Sequence, residues 1–235
     1  MINLATGGAT ADNDFVAGFT GADSKIPVPS TKDQVANFLA HDKPRPRDIF
    51  VHWIGANDIL FNATVTAQQA PKLIQINLNK LYKAGKRAHK LNPFTTLTSP
   101  GAKNIIVASY NDINFFPATY NSPDYNTANV KSYSADLGSG LKALVQNYNK
   151  RARAAFVDVD ALFRSIIADP EKFGVDKKYI DPPTACLTGV YTSEGVSRHL
   201  CSDPERHIFF DSYHPVKEVH ARVGKLFDEA IKRWE

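Results

Sequence analysis

Three short stretches hold the residues best suited to do chemistry. Near the C-terminus, Asp211-Ser212-Tyr213-His214-Pro215 follows the apolar run Ile208-Phe209-Phe210. A carboxylate three residues before a histidine can reach back to the imidazole. It then selects the tautomer and stabilises the imidazolium formed when the ring takes a proton. Pro215 suits the first turn of a closing helix, so both side chains should sit on the loop that feeds that helix. The plainer alternative is that Asp211 only caps the helix. In the second stretch, Gly55-Ala56-Asn57-Asp58, a tight glycine turn can aim the asparagine amide at a ligand. In the third, Asn3–Thr10, the paired Gly7 and Gly8 could let a backbone N–H face an anion. Taken singly, each of these two glycine motifs reads as a turn. The other histidines (His41, His52, His89, His199, His207, His220) lack a comparable neighbour and read as surface or packing residues.

These residues need elements to hold them. Asp48–Ile54, Asn104–Tyr110 and Ala154–Val159 are short, β-branched or aromatic runs bounded by turn residues, and they read as buried strands. Their nearly continuous apolar character predicts cover on both faces, as in a parallel sheet. Helical spacing predicts helices over Thr31–Ala40, Pro71–Leu91, Tyr133–Arg153, Ala161–Ala168 and Val216–Trp234. In Pro71–Leu91 the apolar side is expected to be Leu73, Ile76, Asn77, Leu81 and Ala84. Strands alternating with helices predict an α/β sandwich with a mainly parallel sheet. In such sheets the chemistry lies beyond the carboxyl ends of the strands.

Composition narrows the classes. The chain has 235 residues, 43% hydrophobic and 22% charged, with a net charge of +4. That supports one sizeable domain, residues 1–235. No apolar run is long enough for a membrane span. The basic groups around Lys83–Lys90, Lys150–Arg153 and Lys177–Lys178 have no interleaved aromatics, which argues against a nucleic-acid partner. Cys186 and Cys201 are either two buried thiols or a local disulfide; their polar, turn-rich flanks favour the disulfide. No metal site is expected, since two further ligands at suitable spacing are missing. Asn62-Ala63-Thr64 is a glycosylation sequon. A disulfide and a sequon suit a secreted protein, yet no signal peptide precedes Gly7. The expectation is that the natural start lies further upstream.

In their order and wide spacing, the three stretches resemble the GDSL, or SGNH, family of esterases and lipases. Asn3–Thr10 resembles the family's second block, which implies that Gly8 gives a backbone N–H to an oxyanion hole. Gly55–Asp58 is similar to the third block, GxND, which implies the same role for the Asn57 side chain. Asp211–His214 is similar to the fifth block, DxxH, which implies Asp211 as orienting acid and His214 as general base. Thr31–Phe38, Asp160–Ile167 and Phe173–Cys201 read like fungal-type secreted members, some of which are carbohydrate-ester acetylesterases. The resemblance therefore implies a three-layer α/β/α sandwich with a flavodoxin-like, mainly parallel sheet. It implies a Ser-His-Asp ester hydrolase that needs no cofactor and acts on small esters, acetylated carbohydrates or lipids. A relative that binds such esters without catalysis is the alternative.

One block is missing. The family's nucleophilic serine belongs to a first block, GDS, which ends the first strand and opens a helix. This chain begins inside the second block. The expectation is a domain that is incomplete at its N-terminus, without its first strand, first helix and nucleophile. Ala22-Asp23-Ser24 has the wrong context, with no apolar strand before it and Lys25-Ile26-Pro27 after it. Ser212 lies within the acid–base loop and is expected to point away from His214. Residues 1–235 as they stand are thus expected to be inactive, and either to be poorly stable or to expose an apolar sheet edge.

Overall fold

The structure, a computed structural model, describes residues 1–67, 69–87, 102–149, 152–189 and 195–234. Its centre is a parallel sheet of β3 (Ile49–His52), β4 (Asn104–Ala108) and β5 (Arg153–Val157), in that spatial order. Ile49 pairs with Asn104, and Asn104 with Arg153. Ile105, Ile106, Val107 and Ala108 are all buried, so β4 is covered on both faces as its unbroken apolar run predicts. The Asn104 side-chain amide donates to the carbonyls of Pro46 and Asp48 at 3.1 Å each, tying down the start of β3.

Two-residue pairings flank this sheet. β1 (Phe19–Thr20) meets β2 (Ile26–Pro27), and β6 (Leu187–Thr188) meets β7 (His199–Leu200). The helices are α1 (Thr31–His41), α2 (Ala56–Phe61), α3 (Gln69–Arg87), α4 (Ala128–Tyr148), α5 (Val159–Ala168) and α6 (Lys217–Lys232). Ser30 and Asp33 form a reciprocal capping box at the start of α1. Side chains alternate across a strand. Phe50 packs on Phe38 of α1, whereas Trp53 packs on Phe227 of α6. Helices therefore lie on opposite faces of the sheet, giving the α/β/α arrangement.

Several boundaries move for local reasons. The expected helix Tyr133–Arg153 instead runs Ala128–Tyr148, because Thr127 caps it by accepting from Val130 N–H. Arg153 opens β5, and the Asn149 side chain accepts from Ala154 N–H. Val159 belongs to α5, capped by Asp158, and not to a strand. Pro215 precedes the Val216 cap of α6 instead of starting the helix. In α3 the buried side is Ala70, Ile74, Asn77, Leu78 and Leu81; Ile76 is exposed. The end of the expected helix Pro71–Leu91, from residue 88, lies outside the described residues, as do His89 and Lys150.

β3 departs from the expectation of two covered faces. His52 is buried and Phe50 half-buried, but Ile49 and Val51 on the α6 side are 40% and 53% exposed. Among the described residues, only β4 pairs with β3, so its other edge is open. The α6 side chains reach Trp53 and β5 and leave the start of β3 bare. No helix of the described residues is long and apolar enough to cross a membrane.

Candidate active site

The loop between Ile208 and Val216 closes on itself. Val216 N–H donates to Ile208 O at 2.9 Å, and Phe210 N–H donates to His214 O at 2.7 Å. Phe209 is buried against the rings of Phe115, Phe116 and Phe163, which anchors the loop in the core. Both carboxylate oxygens of Asp211 lie 2.9 Å from His214 Nδ1. One of them also accepts from the N–H groups of Tyr213 and His214, at 2.8 Å each. The Asp211 side chain is 7% exposed and that of His214 is 56% exposed. A buried acid thus holds an imidazole that faces solvent.

The electrostatics follow from this geometry. Burial opposes ionisation of Asp211, but the bonds from His214 and from the two backbone N–H groups outweigh it and keep the carboxyl below its ordinary range. The hydrogen bond to Asp211 raises the His214 pKa against the opposing effect of burial. With Nδ1 turned to the carboxylate, proton exchange with a reacting group falls to Nε2. Asp211 also caps the following backbone, so the capping and orienting roles are compatible.

The glycine motifs meet at a second cluster. Gly55 has φ 123 and precedes α2, and its carbonyl accepts from the buried Tyr133 hydroxyl at 2.8 Å. Asn57 Nδ2 donates to Ala9 O at 2.8 Å, which links the GxND turn to the N-terminal turn. One amide hydrogen of Asn57 is thereby engaged, and the second remains to donate. Gly8 has φ 81, and a Cβ there would sit 1.8 Å from Phe19 O, so only glycine fits. Its N–H has no acceptor among the described residues.

Asp58 is a functional-looking residue that the motif reading passed over. It is fully buried, and both its oxygens lie 3.2 Å from Ala11 N. Burial pushes its carboxyl up to about 6, and its charge adds to the burial that raises Tyr110 and Tyr133. Its neighbour in the motif, Asn57, was the available signal. A further long-range contact also carried no signal in the sequence: Tyr125 donates its hydroxyl to Leu60 O of α2 at 2.8 Å.

The remaining candidates fall elsewhere. Ser24 sits in a 3-10 turn joining β1 and β2, with a left-handed backbone at φ 52. The Ser212 carbonyl accepts from Ala118 N–H. Cys186 and Cys201 form a disulfide. Cys201 therefore offers no thiolate to the His/Cys/Asp grouping it makes with Asp203 and His207. Asn62 is exposed, and its Oδ1 accepts from Thr64 N–H and Oγ1. His52 is buried and its pKa falls to about 4, as suits a neutral packing residue.

Comparison with known proteins agrees with the family resemblance. A family model described as GDSL-like Lipase/Acylhydrolase matches residues 1–227. A phosphatidylcholine-sterol acyltransferase of Aeromonas hydrophila is 25% identical over 84% of this chain and 52% of its own length. A GDSL esterase/lipase of Arabidopsis thaliana is 26% identical over 95% of this chain and 64% of its own. The chain thus spans between half and two thirds of these relatives. A carbohydrate acetylesterase from Sinorhizobium meliloti shares the fold, with TM-score 0.51 and 12% identity over 97% of this chain and 75% of that one.

Proposed function

Because the chain belongs to the GDSL-like lipase/acylhydrolase family, we propose that it is the larger part of a carboxylic-ester hydrolase. His214 is the general base, Asp211 its orienting acid, and the Gly8 N–H and Asn57 amide receive the oxyanion. The observation that carries this reading is the hold of both Asp211 oxygens on His214 Nδ1 at 2.9 Å. The nucleophilic serine comes from a segment outside residues 1–235. The open edge of β3, with Ile49 and Val51 bare, supports this as the place where a strand carrying that serine would pair.

With that serine in place, its oxygen adds to the ester carbonyl carbon while its proton passes to His214 Nε2. The tetrahedral oxyanion collapses, and the alcohol leaves with the proton from His214. Water then repeats the sequence on the acyl-enzyme and frees the acid. Each oxyanion donor contributes ~3–4 kcal/mol in comparable sites. No metal or organic cofactor enters these steps. The substrates are small esters, acetylated carbohydrates or lipids; the named activity of the Sinorhizobium protein supports acetylated sugars. Secretion and glycosylation at the exposed Asn62 belong to the same reading.

Residues 1–235 alone are expected to leave p-nitrophenyl acetate unhydrolysed and to take no label from a fluorophosphonate probe. A form extended through an in-frame GDS block upstream of Met1 is expected to do both, and His214→Ala to abolish its hydrolysis. Labelling of a serine within residues 1–235 would overturn the supplied-serine reading. An upstream stop codon with no such block would favour the rival reading, a non-catalytic relative that binds these esters.

A further inference from the structure

The Cys186–Cys201 disulfide lies next to the acid–base loop, and nothing in the hydrolytic steps uses it. Cys186 N–H donates to Phe209 O at 3.0 Å, and Leu187 N–H donates to Phe210 O at 2.6 Å. Ala185 makes a bridge with Phe209, and Cys201 N–H donates to Cys186 O at 2.9 Å. Leu187 pairs with Leu200 and Thr188 with His199. The backbone of the β6–β7 hairpin is therefore bonded to the two residues directly before Asp211. The next link is Phe210 N–H to His214 O, inside the loop itself.

This hairpin has little else to stabilise it. Its strands are two residues each; Thr188, His199 and Leu200 are exposed and Leu187 is half-buried. A two-stranded ribbon that short is not stable in water without a further constraint. The buried Cys186, joined to Cys201, supplies that constraint at the end of the ribbon nearest Phe209. On its other side the loop needs no such help, because Phe209 is already fixed among aromatic rings.

We propose that Cys186 and Cys201 are positioning residues for the Asp211–His214 pair. The disulfide holds the hairpin as a strut against Phe209–Phe210, and the strut keeps Asp211 in register with His214 Nδ1. The inference rests on the reading of that pair as acid and base, but its test reads the pair's geometry and not hydrolysis. Reduction by a dithiol converts the disulfide to two thiols, oxidises the reagent to its own disulfide, and releases the strut. The pair would then respond to the redox state of its surroundings.

The test is an NMR titration of the histidine ring signals in residues 1–235, comparing the native chain with Cys186→Ser/Cys201→Ser and with the native chain reduced by dithiothreitol. The expected result is a His214 pKa that falls toward 6.5 in both released forms, with faster hydrogen exchange at the Leu187 and Phe210 amides. The signal of His52, buried in β3 and with its pKa lowered by burial alone, should keep its low pKa. An unchanged His214 pKa in a folded released form overturns the proposal, since the pair then holds without the strut. Loss of structure throughout the chain also overturns it, because the disulfide would then support the whole fold and not one loop. Failure of the esterase reading would show separately, as a His214→Ala variant of the extended form that keeps its hydrolytic activity.

Discussion

Replacing Asp58 by asparagine probes the cluster under the GxND turn. The carboxyl is fully buried against Ala11 N–H, and burial raises its pKa from 3.8 to about 6. In the unfolded chain it ionises near 3.8; in the folded chain it keeps its proton until about pH 6. Between those values the folded state binds more protons, so the stability contributed by this group is full below pH 3.8 and is lost as pH rises through about 6. A difference of about 2 in pKa, at about 1.4 kcal/mol for each, amounts to about 3 kcal/mol. The asparagine side chain keeps the shape and one acceptor for Ala11 N–H but does not titrate. Asp58→Asn should therefore gain about 3 kcal/mol relative to the native chain between about pH 4 and about pH 7.5. Urea unfolding followed by tryptophan fluorescence at several pH values measures this difference, and taking the difference cancels the other titrating groups. Curves that stay parallel across that range, or a native chain that gains on the variant as pH rises, would refute the burial argument.

Three further outcomes test other parts of the structure. Gly8→Ala places a Cβ 1.8 Å from Phe19 O, while Gly174→Ala has the same φ of 81 and nothing within 4 Å. Thermal melts should show a loss of ~1–2 kcal/mol for Gly174→Ala and a distinctly larger one for Gly8→Ala; equal losses would contradict the close approach. Asp211→Asn removes the anion that raises the His214 pKa, so NMR titration should find that pKa lower than in the native chain. In the native chain the Asp211 share of this stabilisation is lost as pH falls through a folded pKa below 3.8, and the His214 share as pH rises through a folded pKa above 6.5. Removing both cysteines releases a loop of sequence separation 15 in the unfolded chain. That should cost ~3 kcal/mol in urea unfolding.

Some of this protein was legible in its residues because the interactions involved are local. Asp211 and His214 are three positions apart, so one turn brings carboxylate and ring together wherever the loop sits. The unbroken apolar run of β4 and the helical spacing of Leu137, Leu141, Leu144, Val145 and Tyr148 name their own buried sides. The start of α4 was missed because Thr127 and Val130 form a cap whose signal is one hydroxyl, weaker than the apolar pattern that follows it. Ile49 and Val51 look like core residues by composition, and only the positions of β4 and α6 reveal that they are bare. The same holds for contacts between distant positions. Asn57 reaches Ala9 and Asp58 reaches Ala11 across nearly fifty residues, and the perturbed carboxyl of Asp58 arises from burial that exists only once those segments meet. Residue types and short spacings determined which groups could act as acid, base and donor. Chain closure decided their charge states and which edges stay open, because burial and long-range pairing are properties of the packed chain and not of any segment within it.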